Sequence, residues 1–75
     1  MFYNKKGFGN EIQQLRRSMN LSREELSDLT YIGIDTLKNI ESGKVLPNLE
    51  TLDIISVVLK RDLSQLLLEY RFIYP

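Results

Sequence analysis

Residues 21–52 read LSREELSDLTYIGIDTLKNIESGKVLPNLETL, and the punctuation of this stretch decides the fold. Ser22 followed three residues later by Glu25 is a capping box: the hydroxyl accepts from an orphan backbone N–H and the carboxylate reaches back to the cap. Leu21 and Leu26 flank it at the staple positions. A short helix is predicted there, with Leu26 and Leu29 inward. Tyr31-Ile32-Gly33 breaks it, and a second short helix runs from about Ile34 to Ser42 with Leu37 and Ile40 on its inner face. Gly43 is a natural stop, because glycine enters the left-handed conformation that commonly follows a last turn. Pro47 cannot continue a helix, and Asn48 can cap the next one.

Working outward, Phe8, Ile12, Leu15 and Met19 recur at a spacing that lines them along one helical face. Asn20 suits the left-handed residue after that helix. The helix from Asn48 carries Leu49, Leu52, Ile55, Val58 and Leu59, with Ile54 and Val57 on a neighbouring face. Lys60-Arg61 fits its C-terminal end, where positive charge meets the helix dipole. Asp62 or Ser64 can start a fifth helix bearing Leu63, Leu66, Leu67 and Tyr70. No strand alternation, internal repeat or low-complexity segment is visible. Five short helices joined by turns make a small all-α domain.

The 75 residues suffice for one domain, and a chain this short buries only about 60–65% of the surface its unfolded form exposes. Without cysteine, no disulfide or Cys-based zinc site can staple the fold, and without histidine the commonest metal ligand and general base is missing. No metal, cofactor or catalysis is expected. No apolar run reaches the roughly 18 residues that span a bilayer, and MFYNKKGFGN lacks the apolar core of a signal peptide. A cytoplasmic protein, off the membrane, is the default expectation. The net charge is zero but uneven: residues 1–23 carry Lys5, Lys6, Arg16, Arg17 and Arg23 against Glu11, whereas 24–41 carry Glu24, Glu25, Asp28, Asp35 and Glu41 against Lys38. Phosphate neutralisation drives most DNA affinity, so any DNA binding depends on a local basic patch and a monomer binds weakly.

The ordered set Leu21-Ser22, Glu24-Glu25-Leu26, Ile32, Thr36-Leu37, Ile40-Glu41-x-Gly43-Lys44, Pro47 and Leu49-Glu50-Thr51-Leu52 resembles the lambda-repressor-like (Cro/CI, XRE-type) helix-turn-helix transcription regulators. With Ile12 and Leu15-Arg16 before it and the fifth helix after, the likeness spans residues 8–68. It implies a compact five-helix DNA-binding domain whose helix-turn-helix occupies about residues 23–42, with the third helix in the major groove. Ile34, Asp35 and Asn39 would then face bases, while Ser22, Arg23, Thr36, Lys38 and Lys44 would lie near the sugar-phosphate backbone. Arg16 and Glu41 stand where related proteins form a salt bridge, which implies a structural clamp between the first and third helices.

Each of these residues also has a plainer reading. Arg23, where the family often has Gln, pairs bidentately with guanine or phosphate, or is a solvated surface charge. Asn39 can pair with adenine, Asp35 can accept from cytosine N4 and Ile34 can touch a thymine methyl. Asp35 equally suits the helix dipole, and Asn39 and Lys38 are ordinary on an exposed helix. Gly33 replaces the usual Ser or Thr cap and caps only slightly less well; it also lets backbone approach DNA closely. Tyr31 replaces a turn glycine, where positive φ is unusual for another residue, and Thr30 replaces an apolar residue.

In the tail, residues 69–75, and at Leu68 just before it, Leu68, Tyr70, Phe72, Ile73 and Tyr74 exceed what a five-helix core needs, which suggests an interface. The tail is expected to form a dimer contact or to join a further sensor domain, the chain being either a complete small repressor or the N-terminal piece of a longer protein. The expected function is sequence-specific binding of double-stranded DNA by a repressor-like homodimer regulating transcription. The alternatives are an antitoxin, or another protein-interaction module that kept the fold and lost DNA binding.

Overall fold

Phe8, Ile12, Leu26, Leu37, Ile40, Leu52, Ile55, Leu59, Leu63 and Leu66 bury their side chains against one another in a single cluster. Every helix contributes to it. The computed structural model describes residues 2–72: α1 (Lys5–Ser18), α2 (Arg23–Thr30), α3 (Ile34–Glu41), α4 (Leu49–Leu59) and α5 (Leu63–Glu69), with β1 (Phe2–Tyr3) and β2 (Arg71–Phe72) at the two ends. The all-α class therefore holds, and the two-residue strands are too short for alternation to show. Among the described residues no helix is long and apolar enough to cross a membrane.

Helix α1 begins three residues before its first apolar anchor. The Asn4 side chain accepts from the Gly7 N–H at 2.9 Å, supplying a start that the apolar spacing from Phe8 does not reveal. Glycine inside a helix is normally a weakness, but Gly9 marks a seat. A Cβ there would overlap the Ile40 carbonyl oxygen and come within 2.7 Å of that of Glu41. The backbones of α1 and α3 thus meet directly. Gly43, at φ 80°, has its own Cβ position 2.5 Å from the Lys6 Cα, so both space and backbone conformation exclude a side chain.

The capping box forms at α2: the Ser22 N–H donates to Glu25 Oε1 at 3.0 Å, and the Glu25 N–H donates to Ser22 Oγ at 3.0 Å. Tyr31 closes the helix at φ 59° and is 95% exposed. Ser27 Oγ donates to the Ile32 carbonyl at 2.6 Å, bracing the turn into α3. Thr30 is buried because its hydroxyl is satisfied, donating to the Leu26 carbonyl at 2.7 Å and accepting from the Ile32 N–H at 3.3 Å. Leu29, expected inward, is exposed. Leu26 and Thr30, four residues apart, form the inward line, and Leu29 falls beside it. Leu49 at the start of α4 is likewise exposed rather than in the core, because Leu52, Ile55 and Leu59 set the buried stripe.

The Asn48 side chain caps α4 by accepting from the Thr51 N–H at 2.8 Å, and Asp62 caps α5 by accepting from the N–H groups of Ser64 and Gln65. The chain ends then meet: Phe2 pairs with Phe72 and Tyr3 with Arg71, antiparallel, and the Asn4 N–H donates to the Tyr70 carbonyl at 2.6 Å. Tyr70 is therefore not free apolar surface. Its ring sits over Gly7 and beside Phe8, with centroids 6.4 Å apart, and its hydroxyl lies 3.4 Å from Glu11 Oε2. Burial first, then the Glu11 charge, pushes its pKa up. Leu68 is exposed; Ile73, Tyr74 and Pro75 lie outside the described residues.

Two outcomes are expected. Left-handed backbone costs a non-glycine residue about 1–2 kcal/mol, and glycine returns part of that in chain entropy. Tyr31→Gly should therefore raise stability by about 0.5–1 kcal/mol, measured by urea denaturation. The second concerns acid. Hydrogen bonds from the Ser22 backbone and then its hydroxyl hold the Glu25 carboxyl below its ordinary value. A depressed carboxyl stabilises the fold above the unfolded-state pKa, and that contribution is lost as pH falls through the lower folded value. Glu25→Gln should flatten this acid limb of the stability–pH curve while leaving the helix capped.

Candidate nucleic-acid interface

The floor of the helix-turn-helix is one carboxylate held by two guanidinium groups. Arg16, from α1, donates Nε–H to Glu41 Oε2 at 3.0 Å and Nη2–H to Oε1 at 2.9 Å, a bidentate pair with both side chains buried. Its Nη1 donates to the Leu21 carbonyl at 2.7 Å, so the same group also fixes the chain entering α2. Arg23, the first residue of α2, adds an Nη2–H bond to Glu41 Oε1 at 3.3 Å. Read from the sequence as a phosphate or guanine contact or as a solvated surface charge, Arg23 lies against Glu41, with its side chain 26% exposed and its buried Nε without a partner among the described residues.

Above this floor α3 divides into two faces. Leu37, Ile40 and Glu41 point inward, while Asp35, Thr36 and Lys38 are exposed and Ile34 and Asn39 are half-buried. Asp35 lies in the first turn, where its charge meets the positive helix end. Gly33 is the N-cap, with φ −57° and no side-chain cap bond. A Cβ there would find only Thr36 Oγ1, at 3.9 Å, so neither space nor backbone conformation demands glycine. Ser22 is committed to the capping box, and Lys44 is exposed just beyond Gly43. Ile34, Asp35, Thr36, Lys38, Asn39 and Lys44 thus lie along one helix and its exit, with Ser22 and Arg23 at the start of the helix packed on it.

The structure adds residues that no motif singled out. Because the first turn of α1 rests on Gly43, the exposed Lys5 and Lys6 reach the same end of α3 as Lys44. Lys6 and Asn10 line a shallow groove there with Asn4, Gly7, Glu41 and Ser42. The sequence signal was the Lys5-Lys6 pair itself, but only the seat on Gly43 says where it lands. The acidic middle segment also changes character. Glu41 is neutralised inside the fold and Glu25 is bound in its box, leaving Glu24, Asp28 and Asp35 as its free carboxylates among the described residues.

A family model described as helix-turn-helix matches residues 12–66. The chain belongs to the XRE-type helix-turn-helix family. It is 37% identical over 60 residues to the HTH-type transcriptional activator BcrR of Enterococcus faecalis, covering 80% of this chain and 29% of that protein. The crystal structure of ComR from Streptococcus suis superposes with a TM-score of 0.78 at 29% identity, covering 99% of this chain and 24% of that one. The chain thus spans less than a third of either relative. The matched residues span from within α1 to α5 and so take in the helix-turn-helix itself.

Removing one partner from a buried ion pair leaves the other charge uncompensated, at about 3–5 kcal/mol. Glu41→Ala leaves two guanidinium groups facing an empty site, so it should cost at least that range. In a domain of ordinary stability, roughly 5–15 kcal/mol, urea denaturation followed by circular dichroism should show a large fall in midpoint. An unchanged midpoint would remove Glu41 from its structural role.

Proposed function

We propose that this domain binds duplex DNA sequence-specifically, with α3 in the major groove, and regulates transcription as a dimer. The observation that carries the reading is the outward edge of α3: Asp35, Thr36 and Lys38 face solvent beside half-buried Ile34 and Asn39, on a helix otherwise fastened into the core. The family match and the activator relative support it. Asn39 is the best base reader of the set, because its amide can both donate to and accept from adenine. Ile34 meets a thymine methyl and Asp35 accepts from cytosine N4. Ser22, Thr36, Lys38 and Lys44, joined by Lys5 and Lys6, fix the register on phosphates.

The reading unit is residues 8–68, and a two-fold dimer would place half-sites about 34–36 Å apart. Bound there, it occludes or recruits polymerase. Leu68, exposed on α5 just before the tail, would meet a second copy or a further domain.

Counterion release tests the electrostatic part. If Lys5, Lys6, Lys38 and Lys44 each meet one phosphate, log affinity should fall against log salt with a slope of about −3 to −4 per bound domain. A flat salt dependence, or no retention on random duplex at low salt, contradicts DNA binding.

A further inference from the structure

Helices α2 and α3 form a V. The turn at Tyr31–Gly33 is its vertex, and Ser27 Oγ bonded to the Ile32 carbonyl braces it there. Arg23, the first residue of α2, and Glu41, the last of α3, stand at the two free ends. Each helix is on the order of 12 Å long, so a small change at the vertex moves the free ends apart unless something ties them. Arg16 ties them from outside, through Glu41 and the Leu21 carbonyl, and the Arg23–Glu41 bond is the direct tie between the two helices.

The chemistry of the tie is unusual. Arg16 already satisfies both Glu41 oxygens at 2.9 and 3.0 Å, so the carboxylate needs no second cation. Arg23 nevertheless points to it at 3.3 Å, with Nε buried and without a partner among the described residues. It does so from the first turn of a helix, where the dipole disfavours positive charge. A solvated arginine would not hold that position, and one poised to read a base edge would not bury a donor against its own scaffold. A neutral Gln in its place would lack the charge that pulls it to Glu41.

We propose that Arg23 is a positioning residue for DNA binding: its guanidinium, hooked on Glu41, closes the open end of the V and sets the pose in which α3 presents Ile34, Asp35 and Asn39. The inference rests on the DNA-binding reading above. It assigns Arg23 neither a base nor a phosphate. Loss of Arg23 leaves the Arg16–Glu41 pair intact, so the fold survives its removal, and what changes is how uniformly α3 discriminates between sequences.

The test measures affinity of Arg23→Met and Arg23→Lys for the preferred duplex, for single-base variants of it, and across a salt series. Circular dichroism confirms the fold of each. Expected for Arg23→Met is a loss of roughly 2- to 30-fold on the preferred duplex, the size of indirect coupling, with discrimination weakened at several base pairs together and the salt slope unchanged. Arg23→Lys, which keeps a cation beside Glu41, should restore part of that discrimination. Loss of discrimination at a single base pair would overturn the proposal in favour of direct readout. A salt slope shallower by about one, with discrimination intact, would make Arg23 a phosphate contact instead. Unchanged affinity and discrimination in both variants would overturn it outright. Failure of the unaltered chain to bind any duplex would overturn the DNA-binding reading and this inference together, which separates that failure from the others.

Discussion

A carboxylate cannot lie in a protein interior unless its charge is met and its lone pairs are filled. Glu41 lies there, 1% exposed at the side chain, and the arrangement of the first three helices follows from how that demand is satisfied. Arg16 brings α1 to the end of α3 and, through the Leu21 carbonyl, holds the approach to α2. Arg23 brings the start of α2 to the same oxygen. The apolar cluster supplies most of the driving force, since burial is non-directional, but it does not by itself fix the angle between short helices. The ionic cluster does, beside the point where Gly9, without a side chain, lets α1 meet the α3 backbone.

That division between apolar mass and polar geometry separates what was legible in the sequence from what was not. Ser22 with Glu25, Gly43 after α3 and Asn48 before α4 are local signals, each acting within a turn of itself, and they placed the helices. Leu29 and Leu49 were misplaced because helical periodicity defines a stripe about a third of the circumference wide and does not say which edge of it faces the core. The early start of α1 was hidden because the apolar pattern begins only at Phe8, after the Asn4 cap and the first turn. Tyr70 looked surplus to the core because its partners, Gly7, Phe8 and Glu11, lie at the other end of the chain.

The site divides in the same way. That α3 would present Asp35, Thr36 and Lys38 outward follows from the inward positions of Leu37 and Ile40, so this much is periodicity. The setting of Arg23 is not. Its partner lies 18 residues away on another helix, and no spacing rule links the first residue of one helix to the last of the next. The position of Lys5 and Lys6 is equally nonlocal, since it depends on Gly43 admitting the start of α1. The domain's neutral total charge is thus a poor guide to its surface, with Lys5, Lys6 and Lys44 gathered at one end of α3.

In the proposed function, α3 reads duplex DNA chiefly through Asn39. The most direct measurement is selection of bound duplexes from a random pool, run in parallel with the unaltered chain and with Asn39→Ala. The expected result is one enriched sequence family in which an adenine is strongly preferred, that preference alone disappearing in the variant. No enrichment from the unaltered chain, or an identical enriched family from both, would contradict it.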